Sequence, residues 1–187
     1  MNPLLLDIPF ELETERLRLR VPRAGDGKML AESVRESLAE LKVWMPWATD
    51  DYGETQAEEW VRRAAANFLT REQLQFLILL KESQTHIGTF GAFRFEWSIM
   101  RCEIGYWLRT PYTGKGYMTE AVNGLVQFCE KALAARRIEI RCDDGNGPSG
   151  RVAERCGFAL EGVLQHESRD ALGRLRNTRI YAKTRGD

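Results

Sequence analysis

The run E103-I-G-Y-W-L-R-T-P-Y-T-G-K-G-Y-M-T-E-A121 decides the fold. Its first six residues read as a strand, with Ile104, Tyr106 and Leu108 on one face and Glu103, Gly105 and Trp107 on the other. Gly114 and Gly116 then permit positive φ and close backbone approach. The helix that starts behind them offers unpaired N–H groups and a positive dipole end, which suit an anion such as a pyrophosphate. Two other phosphate loops do not fit: a P-loop needs a lysine after its last glycine, where Tyr117 stands, and a dinucleotide turn needs a third glycine where Thr119 stands. Taken alone, G-x-G reads first as a tight turn that only redirects the chain.

Working toward the N-terminus, short apolar runs from Gln75 (F-L-I-L-L, then I-G-T-F-G-A-F-R-F) predict two strands that form an antiparallel meander with the one above. Before them, Thr55 to Leu69 carries Trp60, Ala64 and Phe68 on one helical stripe. Leu30, Val34, Leu38 and Leu41 predict one amphipathic helix ending before Pro46. Leu12 to Val21 alternates at period two and predicts the first strand.

Toward the C-terminus, the spacing predicts a long helix from about Gly116, a strand at I-E-I-R-C, a short helix from Ser149 to Arg155 and a closing hairpin over the turn D-A-L-G. The expected architecture is a mixed α/β fold with about seven strands and about four helices, in one domain over residues 1–187. The strand–helix–strand step at Gly116 is expected to be a parallel crossover.

Composition narrows the function. Lys plus Arg equals Asp plus Glu at 27 each, so no general field attracts a phosphate backbone or an acidic membrane. No apolar run nears the ~20 residues that span a bilayer, and the start M-N-P-L-L-L-D lacks the basic and apolar regions of a signal peptide. Cys102, Cys129, Cys142 and Cys156 include no C-x-x-C pair, which fits free thiols in a reducing cytoplasm. His86 and His166 have no neighbouring ligand at metal spacing, so no metal site is expected.

The quoted run resembles the coenzyme A motif of GNAT acetyltransferases, and E-I-G-Y-W-L…G-K-G-Y-M-T-E-A resembles their RimJ/RimL branch in particular. N146-G-P-S149-G-R-V-A-E-R-C-G157-F158-A-L-E-G162 is similar to that branch's N-x-x-S…G-F…E-G signature. T14-E-R-L-R-L-R and L41-K-V-W44-M-P-W47 are similar to its first strand and its tryptophan-bearing segment. These pieces span nearly the whole chain in matching order.

The resemblance implies acetyl transfer from acetyl-CoA to an amine in a ternary complex, without a metal or a covalent enzyme intermediate. It implies a GNAT-like, mostly antiparallel sheet whose strands four and five splay around coenzyme A. Amides near Trp107, Leu108 and Arg109 would meet pantetheine, and those of Thr113, Gly114, Lys115, Gly116, Tyr117 and Met118 the pyrophosphate. The reaction needs a proton for the departing thiolate. Where many relatives use a tyrosine this chain has Ala153, so the branch pattern implies Ser149 as donor with Asn146 contacting the cofactor; helix capping is the alternative for both. Glu103 is the candidate base, or else the partner of Arg94. Glu167 is a second acidic candidate about one residue out of step, and Asn177 stands where an aspartate is usual. Trp44 and Trp47 could line an acceptor groove or pack in the core, and Asp50 and Asp51 could attract a cationic amine or be solvated loop residues. The implied acceptor is the N-terminus of a protein or peptide, such as a ribosomal protein, with a small amine as rival and a non-catalytic acyl-CoA-binding module further behind. A DNA-binding module is disfavoured by the balanced charge. The assembly would be a monomer or homodimer.

Overall fold

The computed structural model describes residues 2–170 and 173–185. Its strands are β1 (Glu11–Glu13), β2 (Leu17–Arg20), β3 (Leu74–Leu80), β4 (His86–Glu96), β5 (Arg101–Leu108), β6 (Arg137–Asp143), β7 (Ala159–Arg169) and β8 (Leu175–Thr184). Its helices are α1 (Gly27–Glu36), α2 (Leu38–Trp44), α3 (Glu54–Thr70), α4 (Tyr117–Ala132) and α5 (Gly147–Arg155). The strands form one sheet in the order β1-β2-β3-β4-β5-β6-β8-β7. Neighbours run antiparallel except β5 and β6, which are parallel and joined through α4. The expected mixed sheet and the crossover at Gly116 are both present.

Two expectations are corrected. Leu12 to Val21 is a hairpin, β1 and β2, rather than one strand. Thr14 N–H donates to the Leu17 carbonyl at 2.9 Å, and Leu17 N–H returns to Thr14 Oγ1 at 3.2 Å. Period-two alternation continues on both sides of that turn, and T-E-R contains no glycine, proline or asparagine to mark it. The single helix expected before Pro46 is α1 and α2, broken at Ser37. That residue is fully buried at φ −114°, and its Oγ accepts the Thr110 N–H at 2.9 Å. The stripe of Leu30, Val34 and Leu41 survives the break because both pieces face the same cluster. Among the described residues the sheet therefore has eight strands, against about seven expected, with five α-helices, against about four. α5 starts two residues before Ser149, and Ala171 and Leu172 of the expected D-A-L-G turn lie outside the described residues.

Each sheet face has its own core. α4 buries Ala121, Val122, Leu125 and Cys129 against Leu19, Phe76, Phe90, Ile104 and Ile140. Full burial of one such leucine contributes about 1.5–3 kcal/mol. On the other face α1, α2 and α3 close over Ala57, Val61 and Val34, with Trp107 packed beneath. This pair of layers fixes β5, whose alternate side chains face opposite cores.

Candidate active site

β5 and β6 pair from Arg101↔Arg137 to Ile104↔Ile140 and then part. These are the strands expected to splay, numbered one higher because the first strand is double. A cavity of about 1170 Å³ opens where they separate. It runs from the Gly114–Thr119 turn, past Tyr106 and Ser149, to the aromatic side chains of α2 and α3.

The antiparallel ladder decides which amides face this gap. Arg109 N–H donates to the Ile87 carbonyl at 2.7 Å, and the register Thr89↔Trp107 puts Trp107 in the same hydrogen-bonded class. Both amides therefore point toward β4. By the same alternation Tyr106 and Leu108 turn their backbone groups to the open edge, so Leu108 is the member of the expected trio that faces the gap. The Arg109 side chain is engaged elsewhere, with Glu36 at 2.6 Å and the His86 carbonyl at 2.6 Å. The Trp107 ring lines the cavity on the other sheet face.

The glycine turn has the conformation its residues predict. Gly114 and Gly116 sit at φ 73° and 80°, and Gly116 caps α4. The first bond of the helix runs from Glu120 N–H to the Gly116 carbonyl at 3.0 Å, which leaves the amides of Tyr117, Met118 and Thr119 without an intrahelical acceptor. Thr113, Gly114, Gly116, Tyr117 and Met118 line the cavity. Lys115 stands apart from the lining, its ammonium 5.4 Å from the centre of the Tyr112 ring. With its free N–H groups and open β5 edge, the site fits coenzyme A.

A clamp under this turn was not foreseen from the sequence. Glu120 accepts from Thr14 Oγ1 at 2.5 Å, Arg16 N–H at 2.8 Å and Arg16 Nε at 2.6 Å. Arg16 also donates to the Lys115 carbonyl at 3.2 Å and lies 4.4 Å from the centre of the Tyr117 ring. Burial pushes the Glu120 carboxyl up, but the bonds from Thr14 and Arg16 outweigh it and hold the group below its usual range.

At the divergence of β5 and β6, Ser149 Oγ donates to the Tyr106 phenol at 3.2 Å, and that phenol donates to the Ser149 carbonyl at 3.2 Å. Burial pushes the phenol's pKa well up. Asn146 Oδ1 caps α5 through the Ser149 N–H at 3.1 Å while the residue also lines the cavity, so the cap and a cofactor contact are compatible there; the Ser149 hydroxyl bonds to Tyr106. Ala153, where relatives carry a tyrosine, is buried. A phenol reaches Ser149 from β5 instead. The signal was Tyr106 itself, whose face was legible in the strand alternation.

Glu103 lines the same cavity and pairs with Arg94 at 2.9 Å. Burial raises its carboxyl, opposed by Arg94. Glu167 lies on β7 outside the lining, paired at 2.8 Å with Arg141, which does line the cavity. The Asn177 side chain accepts the His166 N–H at 3.1 Å. Trp44 and Trp47 both line the cavity; the Trp47 ring is 6.1 Å from Trp107 and 5.6 Å from Tyr52. Asp50 pairs with Lys42 at 2.7 Å. His86 is buried on β4 with Nδ1 2.8 Å from Ser33 Oγ, and burial lowers its pKa to about 4. Among the described residues, no group of three or more His, Cys, Asp or Glu side chains could hold a metal. No described helix is long and apolar enough to cross a membrane.

A mixed sheet that opens beside its one parallel pair, with a glycine turn at one end of the opening and a hydroxyl beside it, defines a class of acyl-CoA-dependent transferases. Residues 16–159 match the Acetyltransferase (GNAT) domain, and the chain belongs to that family. It is an acetyl-CoA-dependent N-acetyltransferase that moves the acetyl group to a primary amine. It is 29% identical over 171 residues to the uncharacterized N-acetyltransferase p20 of Bacillus licheniformis, covering 91% of this chain and 94% of that one. It is 30% identical over 127 residues to the ribosomal-protein-serine acetyltransferase of Escherichia coli, covering 66% and 70%. In structure it resembles RimL, a ribosomal L7/L12 alpha-N-protein acetyltransferase solved with coenzyme A, at TM-score 0.85 and 22% identity, covering 95% and 97%.

Proposed function

We propose that the acceptor is the α-amine at the N-terminus of a protein or peptide, a ribosomal protein among the candidates. The names of the E. coli and RimL relatives support this acceptor class. So does the pKa of an α-amine, near ~8 against ~10.4 for lysine, which leaves far more of it neutral at pH 7 for a modest base to serve. The observation that carries the chemistry is the Ser149 hydroxyl where β5 leaves β6.

In this reading the amine nitrogen attacks the thioester carbonyl, a C–N bond forms and the C–S bond breaks. The amine's excess proton passes to Glu103, directly or through water, and the thiolate takes a proton from Ser149; Glu103 then releases its proton to solvent and Ser149 regains one from solvent, which closes the cycle. The Leu108 backbone edge holds pantetheine, and the amides from Gly114 to Met118 hold the pyrophosphate. Trp44 and Trp47 wall the acceptor side. Residues 1–187 act as one catalytic domain in the cytoplasm, as a monomer or homodimer. The four free cysteines are consistent with that compartment.

Mass spectrometry of peptides incubated with the protein and acetyl-CoA tests the acceptor. Acetyl on the N-terminal amine is expected, lost when that amine is blocked even if lysines remain. Acetylation of lysine side chains alone, or turnover of only a polyamine or an aminoglycoside, would exclude the N-terminal reading and leave the family's chemistry standing.

A further inference from the structure

The part of the cavity farthest from the cofactor turn is built as an apolar chamber. Gly91 and Gly105 face each other across β4 and β5. A side chain at Gly91 would strike Gln75 Oε1 at 2.5 Å, and one at Gly105 would strike the Phe93 ring at 3.0 Å. The two glycines thus let the Gln75 amide and the Phe93 ring lie flat on the sheet as a floor. Thr89 and Trp107, adjacent in register, continue it. Leu30 and Val34 of α1, with Tyr52 and Trp60, close the chamber from above. Glu103 stands across from Phe93 at the end nearer the point where β5 and β6 part.

Thr89 makes this chamber more than a packing defect. The residue is 3% exposed, and its Oγ1 finds no hydrogen-bond partner among the described residues. A buried hydroxyl without a partner is costly, and a ligand group that bonds to it is favoured accordingly. A polycationic acceptor does not suit these walls. Of the three carboxylates on the lining, Glu40 lies exposed on α2 and Glu103 is held by Arg94. Asp143 accepts the Gly145 N–H at 2.8 Å and lies 3.3 Å from Arg176 Nη1. The remaining surface is largely aromatic and aliphatic.

We infer that the preferred acceptor carries, on the carbon next to its amine, a bulky apolar side chain that enters this chamber, and that where the side chain is tyrosine its phenol hydroxyl bonds to Thr89. The substrate class is an N-terminal leucine, phenylalanine or tyrosine rather than serine or alanine. The inference rests on the α-amine reading above and sharpens it. An aromatic ring gains from edge and face contacts with Trp107, Trp60 and Phe93, whereas a serine or alanine side chain leaves the chamber to water. Each methylene in such a pocket is worth roughly 10–200-fold in discrimination.

Peptides of one length that differ only in a first residue of Ser, Ala, Leu, Phe or Tyr, together with free phenethylamine and tyramine, are assayed for thiol release and for the position of the acetyl group. Leu, Phe and Tyr peptides are expected to exceed Ser and Ala peptides at least ~10-fold in kcat/KM. Thr89→Val, which keeps the shape and removes the hydroxyl, is expected to lower the Tyr-to-Phe ratio of kcat/KM. Ser or Ala peptides turned over as well as the others would overturn the inference and leave the α-amine reading intact. Turnover of the free aromatic amines without any peptide would exclude a peptide acceptor and support the chamber. An unchanged Tyr-to-Phe ratio in Thr89→Val overturns the Thr89 assignment, and no turnover of any of these amines overturns the inference as a whole.

Discussion

The carboxylate of Glu120, in the first turn of α4, is bonded to both the backbone and the guanidinium of Arg16, 104 residues earlier in the chain. The same guanidinium reaches the Lys115 carbonyl inside the cofactor turn. The N-terminal hairpin thereby braces the cofactor turn. Glu120→Gln is predicted to weaken acetyl-CoA binding several-fold and to lower stability by about 1–3 kcal/mol, because charged hydrogen bonds become neutral ones. The Glu120 carboxyl titrates below 4.5 in the folded protein, so its contribution is present above that pH and is lost as pH falls through the folded value. Urea melts of both proteins should show the difference in stability shrinking on acidification; a constant difference would mean that the carboxylate is not the source.

Gly116→Val is predicted to abolish acetyl-CoA binding by calorimetry while the protein remains folded. Its φ of 80° strains a β-branched residue, and the added side chain would stand where amides must approach phosphate. Arg16 Nη2 already lies 3.4 Å from the position of the new Cβ. Near-normal affinity in the folded variant would remove the pyrophosphate assignment.

Ser149→Ala is predicted to lower kcat by about 10²-fold with little change in acetyl-CoA affinity, since a proton donor matters in the transition state. Asn146→Ala is predicted to act on stability, by about 1 kcal/mol, through the lost cap of α5. Thermal melts and steady-state rates of the two variants separate the roles. A Ser149→Ala protein that melts earlier but turns over normally would assign the hydroxyl to structure.

Glu103 must be ionised to take a proton, so activity should fall on the acid side as pH drops through its raised pKa. Arg94 opposes that rise. Arg94→Met is therefore predicted to move the acid limb of the kcat profile to higher pH, and Glu103→Gln to remove the limb with most of the rate. An acid limb indifferent to both changes would point to a different base.

Much of this was legible in the residues. Strand β5, the crossover helix and the glycine turn follow from alternation, helical spacing and two glycines, because each is a local property of the chain. The hairpin at Thr14 and the break at Ser37 were hidden for one shared reason: their signals are partners distant in sequence. The Thr14 hydroxyl that accepts the Leu17 amide within the turn is itself held by Glu120, and the Ser37 hydroxyl at the helix break accepts the Thr110 amide. Alternation put Tyr106 on the right face, yet only the parting of β5 from β6 brings its phenol to Ser149. The family resemblance implies a pantetheine contact for the Arg109 amide, whereas the β4 ladder commits it to Ile87.

The separation of β5 from β6 leaves a sheet interrupted in its interior, with Tyr106 and Leu108 turning backbone groups to the opening. A cofactor held there as proposed would complete the sheet as a surrogate strand, and its binding would then be part of the folding equilibrium. Each tenfold rise of acetyl-CoA above its Kd adds about 1.4 kcal/mol to the free energy of unfolding. On that placement the melting temperature of the protein rises with the concentration of its donor, so the empty protein is the less robust one.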